Sequence, residues 1–211
     1  FGSPFTDMGQ GSSADAATPA DLHRLEQPEF HVVGDALVDI IASDVVRIPG
    51  WGEDANAGAI HSFAGGSALN TAVHLAGLAE PRGCNVAFHG CVGGDSFAQV
   101  LRKRLQDAGV RESLVEVAGQ PTGSCLVLSG AGGRAFVTCA GATGRLSAEH
   151  LANLSGALQR SQRPFHVHFG GFYAYGPLRF ELPAFICELR EEATRRGVRL
   201  TVSLDVNGQE P

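Results

Sequence analysis

The chain has 211 residues, of which 44% are hydrophobic and 18% are charged, so we expect most of it to fold around a core of its own. Its net charge is −6, and its one short basic run, at 102–104, lies in an amphipathic segment. This balance argues against a nucleic-acid partner. No apolar run reaches the length of a membrane-spanning helix, so we also predict no membrane contact.

The ends and the cysteines give further expectations. Residues 1–28 are mostly small and polar, as in "GQGSSADAATPADLH", and we predict a disordered leader there. Met8 is the only methionine, and residues 1–7 are interpreted as a cloning remnant that precedes it. Residues 29–211 are predicted to form one domain. The five cysteines include no Cys-x-x-Cys pair, which predicts reduced thiols in a cytoplasmic protein.

Hydrophobic runs and helical spacing alternate along the domain. Buried strands are predicted at 30–42, with a bend at Gly34, and at 84–93, 165–171 and 198–207. A short strand is predicted at 59–63. Helices are predicted at 68–78, after a cap at Asp95, after a cap at Ser147, and around 180–196.

This alternation predicts an α/β fold with a mainly parallel sheet and helices on both faces. Extra strands around 40–63 and 113–139 interrupt it and predict a small β-lid over one end of the sheet. The "GAGG" at 130–133 is followed by a strand-like segment. It therefore predicts a hairpin turn and not a phosphate-binding loop, which needs a helix directly after it.

Ligands of open α/β sheets bind beyond the carboxyl ends of the strands, and two candidate groups lie there. Asp39 follows the core of the first strand, and Gly65, Gly66 and Asn70 lie in "FAGGSALN" at the start of a helix. Glycines let a ligand reach the backbone, the amide both donates and accepts, and the carboxylate accepts. Together these groups suit vicinal hydroxyls, although plain turn geometry also explains a Gly-Gly pair before a helix.

Five segments carry a resemblance to a known family. "VVGDALVDI", "FAGGSALNTAVHLAGL", "GCVGGDSFAQVLRKRLQDAGV", "PTGSCLVLSGAGGRAFVTCAGA" and "VSLDVN" resemble, in order and spacing, the ribokinase-like carbohydrate kinases of the PfkB family. The resemblance implies a ribokinase-like fold and assigns Asp39, Gly65, Gly66 and Asn70 to sugar binding. It implies ATP and Mg²⁺ as cofactors of the complete protein, and a homodimer contact through the lid.

One expected motif is absent from the sequence. The family's second signature, Gly-Ala-Gly-Asp, supplies the general base and an anion hole, and these 211 residues do not contain it. We therefore assign no catalytic residue and no metal ligand, and we expect a C-terminally incomplete domain that is inactive by itself. "NGQE" at 207–210 resembles a magnesium motif of the family in its letters only, because it directly follows a strand.

The resemblance predicts an ATP-dependent sugar kinase, of which this chain carries the substrate-binding part. Two alternatives stay open. "PTGSC" is also similar to adenosine kinases, and Phe63 is the candidate to stack on a purine. A non-catalytic sugar-binding fragment is the other alternative.

For several other polar or aromatic residues, a structural role is the simplest prediction. Asp95 is predicted to act only as a helix cap, and His166 and His168 as core or edge residues without a metal. The aromatic residues that follow the strand at 165–171 either line the sugar pocket or cover the sheet; they are Phe172, Tyr173 and Tyr175.

Overall fold

The computed structural model describes residues 27–207, so most of the predicted leader and residues 208–211 lie outside the described residues. Within 27–207 the chain forms nine strands: β1 (Glu29–Gly34), β2 (Leu37–Ser43), β3 (Ala59–Gly65), β4 (Asn85–Val92), β5 (Arg111–Glu116), β6 (Gly123–Gly130), β7 (Gly133–Cys139), β8 (Phe165–Gly170) and β9 (Leu200–Asp205). The same region holds four α-helices: α1 (Ser67–Ala79), α2 (Ser96–Asp107), α3 (Ala152–Arg160) and α4 (Leu178–Arg196).

Five strands form a parallel sheet in the order β5-β4-β1-β8-β9. Helices α1 and α2 pack on one face of this sheet, where Leu69 and Leu101 are fully buried. Helices α3 and α4 pack on the other face, where Leu154 and Leu182 are buried. Because both faces are covered, the central strands are mostly apolar on both sides, and His31 in β1 and His89 in β4 are buried exceptions. The predicted α/β architecture, with helices on both faces of a mainly parallel sheet, is confirmed.

A second, smaller sheet has the order β3-β2-β6-β7. Strand β2 pairs antiparallel with β3 and parallel with β6, and β6 and β7 form the predicted hairpin around 130–133. The predicted boundary at 113 is wrong. Residues 113–116 belong to β5, which pairs in parallel with β4 at the edge of the larger sheet.

The sequence predicted one strand over 30–42, and the structure divides it between the two sheets. Strand β1 ends at Gly34 and β2 begins at Leu37. Gly34 has φ +152°, and a Cβ there would lie 2.0 Å from the carbonyl oxygen of Gly170. Only glycine fits this crossing, where the chain leaves the larger sheet and enters the smaller one.

The helix predicted after Ser147 begins later than expected. Residues 148–151 form a single 3₁₀ turn, and the α-helix starts at Ala152. The side chain of Ser147 lies 2.7 Å from Nδ1 of His150, so His150 completes the cap. Among the helices of residues 27–207, none is both long enough and apolar enough to cross a bilayer.

Candidate functional site

The candidate site is built at the turn that joins β3 to α1. Gly65 ends β3, Gly66 forms the turn, and α1 begins at Ser67. Gly66 has φ +104°, and a Cβ there would lie 2.5 Å from the carbonyl oxygen of Asp35. The turn therefore needs glycine at position 66 both for its backbone conformation and for its approach to the β1–β2 connection.

Asp35 lies beneath this turn, and the sequence analysis did not identify it. Its two carboxylate oxygens accept hydrogen bonds from the backbone N–H groups of Ser67 and Ala68, each at 2.8 Å. Asp35 is 5% exposed. Burial raises the pKa of Asp35, although the hydrogen bonds from Ala68 and Ser67 act in the opposite direction. Asp35 thus binds the positive end of helix α1 from a distant part of the chain.

Asp39 lies in β2 and is half-buried. Its carboxylate lies against Gly65, because a Cβ at Gly65 would be 2.1 Å from Oδ2 of Asp39. Burial raises the pKa of Asp39, and the negative charge of Asp35 raises it further. The predicted juxtaposition of Asp39 with the Gly65 turn is present in the structure, and a side chain at position 65 would force the Asp39 carboxylate to move.

Phe63 and Asn70 flank this centre. Phe63 is directly opposite Asp39 in the β2–β3 pair, so the two side chains share one face of the smaller sheet. Phe63 is 52% exposed. Asn70 is exposed in the first turn of α1, and its backbone N–H donates to the carbonyl oxygen of Gly66. Both side chains are therefore free to meet a ligand at the edge of the turn.

A third carboxylate approaches the turn from the larger sheet. Asp205 is the last residue of β9, and its Oδ2 accepts a hydrogen bond from the Ser67 hydroxyl at 3.1 Å. Asp205 also adds to the rise in the pKa of Asp35. A carboxylate at the end of a strand is the same signal that drew attention to Asp39, so this residue could have been found from the sequence.

The remaining predicted residues have structural partners. Oδ1 of Asp95 accepts from the Ala98 N–H at 3.1 Å, as predicted for a cap, and Oδ2 accepts from the Thr122 N–H. Burial works against the charged form of Asp95, but hydrogen bonds from Thr122 and Ala98 outweigh it and lower the pKa. His166 and His168 both approach the hydroxyl of Ser203, at 2.9 and 2.8 Å.

Of the aromatic residues after β8, Tyr175 covers the sheet. It is 5% exposed, and its hydroxyl lies 2.8 Å from the Gly170 carbonyl oxygen and 3.1 Å from that of Val33. It thereby ties the carboxyl ends of β1 and β8 together. Phe172 and Tyr173 are half-buried, and the guanidinium of Arg179 lies over both rings.

Neither a clustered metal site nor an open phosphate site is found at the α1 turn. In residues 27–207 no group of three or more His, Cys, Asp or Glu side chains is arranged to hold a metal ion. The N-terminus of α1 is the natural anion site of such a turn, but the Asp35 carboxylate already occupies its N–H groups. We therefore assign no residue of this region to Mg²⁺ or to the phosphates of ATP.

Comparison with known families agrees with this geometry. The model of the pfkB family of carbohydrate kinases matches residues 28–202. The chain belongs to this family, whose kinases are phosphotransferases.

The chain matches only part of the length of each individual relative. An adenosine kinase of Schizophyllum commune is 30% identical over 113 residues, which are 54% of this chain and 32% of that protein. The ribokinase of Giardia lamblia superposes with a TM-score of 0.67 at 20% identity, covering 87% of this chain and 52% of that one. The fructokinase of Xylella fastidiosa with bound ATP gives a TM-score of 0.63 at 24% identity, covering 86% and 52%. The chain thus spans about half the length of these solved structures, which show its fold.

Replacing Asp35 tests whether it supports the α1 turn. Asp35→Ala leaves the N–H groups of Ser67 and Ala68 without their acceptor, and we expect a loss of about 1–3 kcal/mol in the free energy of unfolding. Urea denaturation measures this, with Asp107→Ala at the exposed end of α2 as the control. A stability within about 0.5 kcal/mol of the parent chain would mean that Asp35 does not hold this turn.

Proposed function

We propose that this chain carries the acceptor-binding part of an ATP-dependent sugar kinase, which moves the γ-phosphoryl group of ATP to a sugar hydroxyl. The observation that carries the proposal is the contact between the Asp39 carboxylate and the backbone at Gly65, at the end of the sheet where such folds bind ligands. Membership of the pfkB family supports the reaction class. Mg²⁺ as cofactor and a cytoplasmic location are part of this proposal.

The residues of the turn suit an acceptor that offers hydroxyl groups. Ionised Asp39 accepts hydrogen bonds and cannot donate, so it selects ligand atoms that carry a proton. Asn70 both donates and accepts, so it pairs with a second hydroxyl in either orientation. In this proposal Asp39 and Asn70 fix the sugar ring, and Gly65 lets the ring approach the backbone. Their contribution to catalysis is the orientation of the attacking hydroxyl.

Removing the Asp39 carboxylate tests this role directly. We expect Asp39→Ala to weaken binding of the chain's sugar ligand by roughly ten- to a hundredfold, the usual cost of a hydrogen bond to a charged group. Calorimetric titration with D-ribose, D-fructose and adenosine measures it, with Asp107→Ala as the control. If none of these compounds binds the parent chain, or if Asp39→Ala binds as well as the parent, the proposed function is wrong.

The same titrations give a pH dependence with a defined sign. The pKa of Asp39 is raised in the folded chain by burial and by Asp35, so Asp39 takes up a proton at a higher pH than an ordinary carboxyl group does. Binding should therefore fall as the pH is lowered from neutral through this raised pKa, and Asp39→Asn should remove the dependence.

We also propose that these 211 residues bind sugar without releasing ADP from ATP, since they lack the Gly-Ala-Gly-Asp motif.

A nucleoside acceptor is the second candidate, favoured by the adenosine kinase relative and by the exposed ring of Phe63 beside Asp39. A purine would stack on this ring, whereas a free sugar has no aromatic surface to place there. If the acceptor is a nucleoside, Phe63→Ala should weaken adenosine binding by about tenfold and leave D-ribose binding unchanged. Equal losses for both ligands, or none, would argue against stacking. Phe136→Ala, an exposed ring in β7, is the matched control.

A homodimer through the smaller sheet stays a prediction. Ile60, Leu126 and Val137 are exposed on one face of that sheet, as the pairing of β3, β2, β6 and β7 places them on the same side. Light scattering should report a dimer, and Val137→Lys should shift it to a monomer by placing a charge in the contact. A parent chain that is monomeric at high concentration contradicts this contact.

A further inference from the structure

Two buried histidines lie in the larger sheet and take no part in the proposed function. His31 in β1 is 1% exposed and His89 in β4 is 2% exposed. Nδ1 of His31 lies 2.9 Å from Nε2 of His89, and the His31 ring stacks on Phe165 with centroids 4.2 Å apart. In a buried pair of neutral imidazoles one ring must donate the hydrogen bond and the other must accept it, so the two rings have defined tautomers.

Glu29 favours one of the two proton arrangements, although its carboxylate lies beyond hydrogen-bond distance of His31. Its Oε2 faces Nε2 of His31 at 3.8 Å, and a carboxylate favours a proton on the nitrogen it faces. Nδ1 of His31 is then unprotonated and accepts a hydrogen bond from the Nε2–H of His89. In this arrangement the other nitrogen of His89, Nδ1, is also unprotonated. It has no hydrogen-bond partner within residues 27–207. Burial, His31 and Arg111 lower the pKa of His89 to about 3, so the ring stays neutral at physiological pH.

His89 forms part of the wall of a groove between the edge of the sheet and α3. Arg111, Ser113, Asn153 and Arg160 also line this groove.

The two acidic residues of the groove already have partners. Glu112 pairs with Arg102 at 2.6 Å, and Glu29 faces His31 and Arg163. Among the described residues, no carboxylate lies within 4.0 Å of Arg111 or Arg160, and both are exposed. The groove therefore presents two exposed guanidinium groups outside ion-pair distance of any described carboxylate, and Glu29 is near enough to Arg111 for their charges to attract.

We propose that this groove is a second binding site, which takes a small anion that also carries a hydroxyl group, either a hydroxycarboxylate or hydrogen phosphate. The negative charge lies between Arg111 and Arg160, and the hydroxyl group donates to Nδ1 of His89. Guanidinium groups are the preferred partners of carboxylate and phosphate oxygens. Nδ1 is covered by its neighbours in the ligand-free chain, so side chains of the groove wall move aside for this hydrogen bond.

The groove and the candidate sugar site lie at opposite ends of the larger sheet. Glu29 is the first residue of β1 and Arg111 is the first residue of β5, so the groove lies at the amino ends of these strands. Asp35 and the Gly65 turn lie beyond the carboxyl end of β1. A ligand in the groove therefore leaves the candidate sugar site open, and this proposal does not depend on the proposed function.

Matched anions test the proposal. Malate and succinate differ by one hydroxyl group, and at mildly alkaline pH hydrogen phosphate and sulfate have the same charge but only hydrogen phosphate carries a hydroxyl group. Calorimetric titration at constant ionic strength should show the hydroxyl-bearing member of at least one pair binding about three- to tenfold more tightly than its partner, the range expected for one hydrogen bond. The pair that shows the preference identifies the source of the anion.

Two variants separate the parts of the site. Arg160→Ala at the exposed end of α3 should weaken binding of every anion about tenfold or more, whereas Arg196→Ala at the exposed end of α4 should not. His89→Phe keeps the ring volume and should abolish the hydroxyl preference while leaving binding of succinate and sulfate intact. Arg160→Ala remains decisive if His89→Phe does not fold. The proposal is wrong if no anion binds, if neither pair shows a preference, or if Arg160→Ala binds as the parent chain does.

Discussion

The two hydrogen bonds from Ser67 and Ala68 to the Asp35 carboxylate hold the candidate site together. Asp35 follows β1 of the larger sheet, and α1 follows β3 of the smaller sheet. The carboxylate therefore fixes the position of α1 at the junction of the two sheets, and with it the turn at Gly65 and Gly66. Its burial carries a free-energy cost, visible in its raised pKa, and the fixed N–H groups of the helix offset part of that cost.

Asp35 also sets the electrostatics of its neighbour. Asp39 is half-buried and has no cation among the groups that shift its pKa, so Asp35 acts on it as a like charge at close range. A carboxylate in such surroundings has an unsatisfied capacity to accept hydrogen bonds, because the nearby helix amides are already used. An incoming hydroxyl group supplies the missing donor without adding negative charge. This arrangement is consistent with the hydroxyl-rich ligand proposed above.

Local pattern was enough to predict the alternation of strands and helices, the hairpin between β6 and β7, and the cap at Asp95. It also predicted that Asp39 and Gly65 meet, although Asp39 lies within β2 and not at a strand end. Local pattern could not show that 30–42 forms two strands. The break between them comes from the close approach of Gly34 to Gly170, which is distant in sequence. Asp35 was missed for the same reason: its partners lie 32 and 33 residues away. The short segment 113–116 carries no pattern that tells one sheet from the other, and only its pairing with β4 assigns it to the larger sheet.

The occupied N-terminus of α1 separates two chemistries that such a turn could support. A free helix N-terminus after a glycine pair would attract the phosphate groups of a nucleotide. Here the Asp35 carboxylate accepts from the first N–H groups, and Asp205 accepts from the Ser67 hydroxyl beside them. A phosphate group brought to this turn would meet carboxylates where it needs donors, so the turn does not suit a phosphate group. What the turn can still offer is the acceptor oxygens of Asp39 and the amide of Asn70, and these are the groups that recognise hydroxyls.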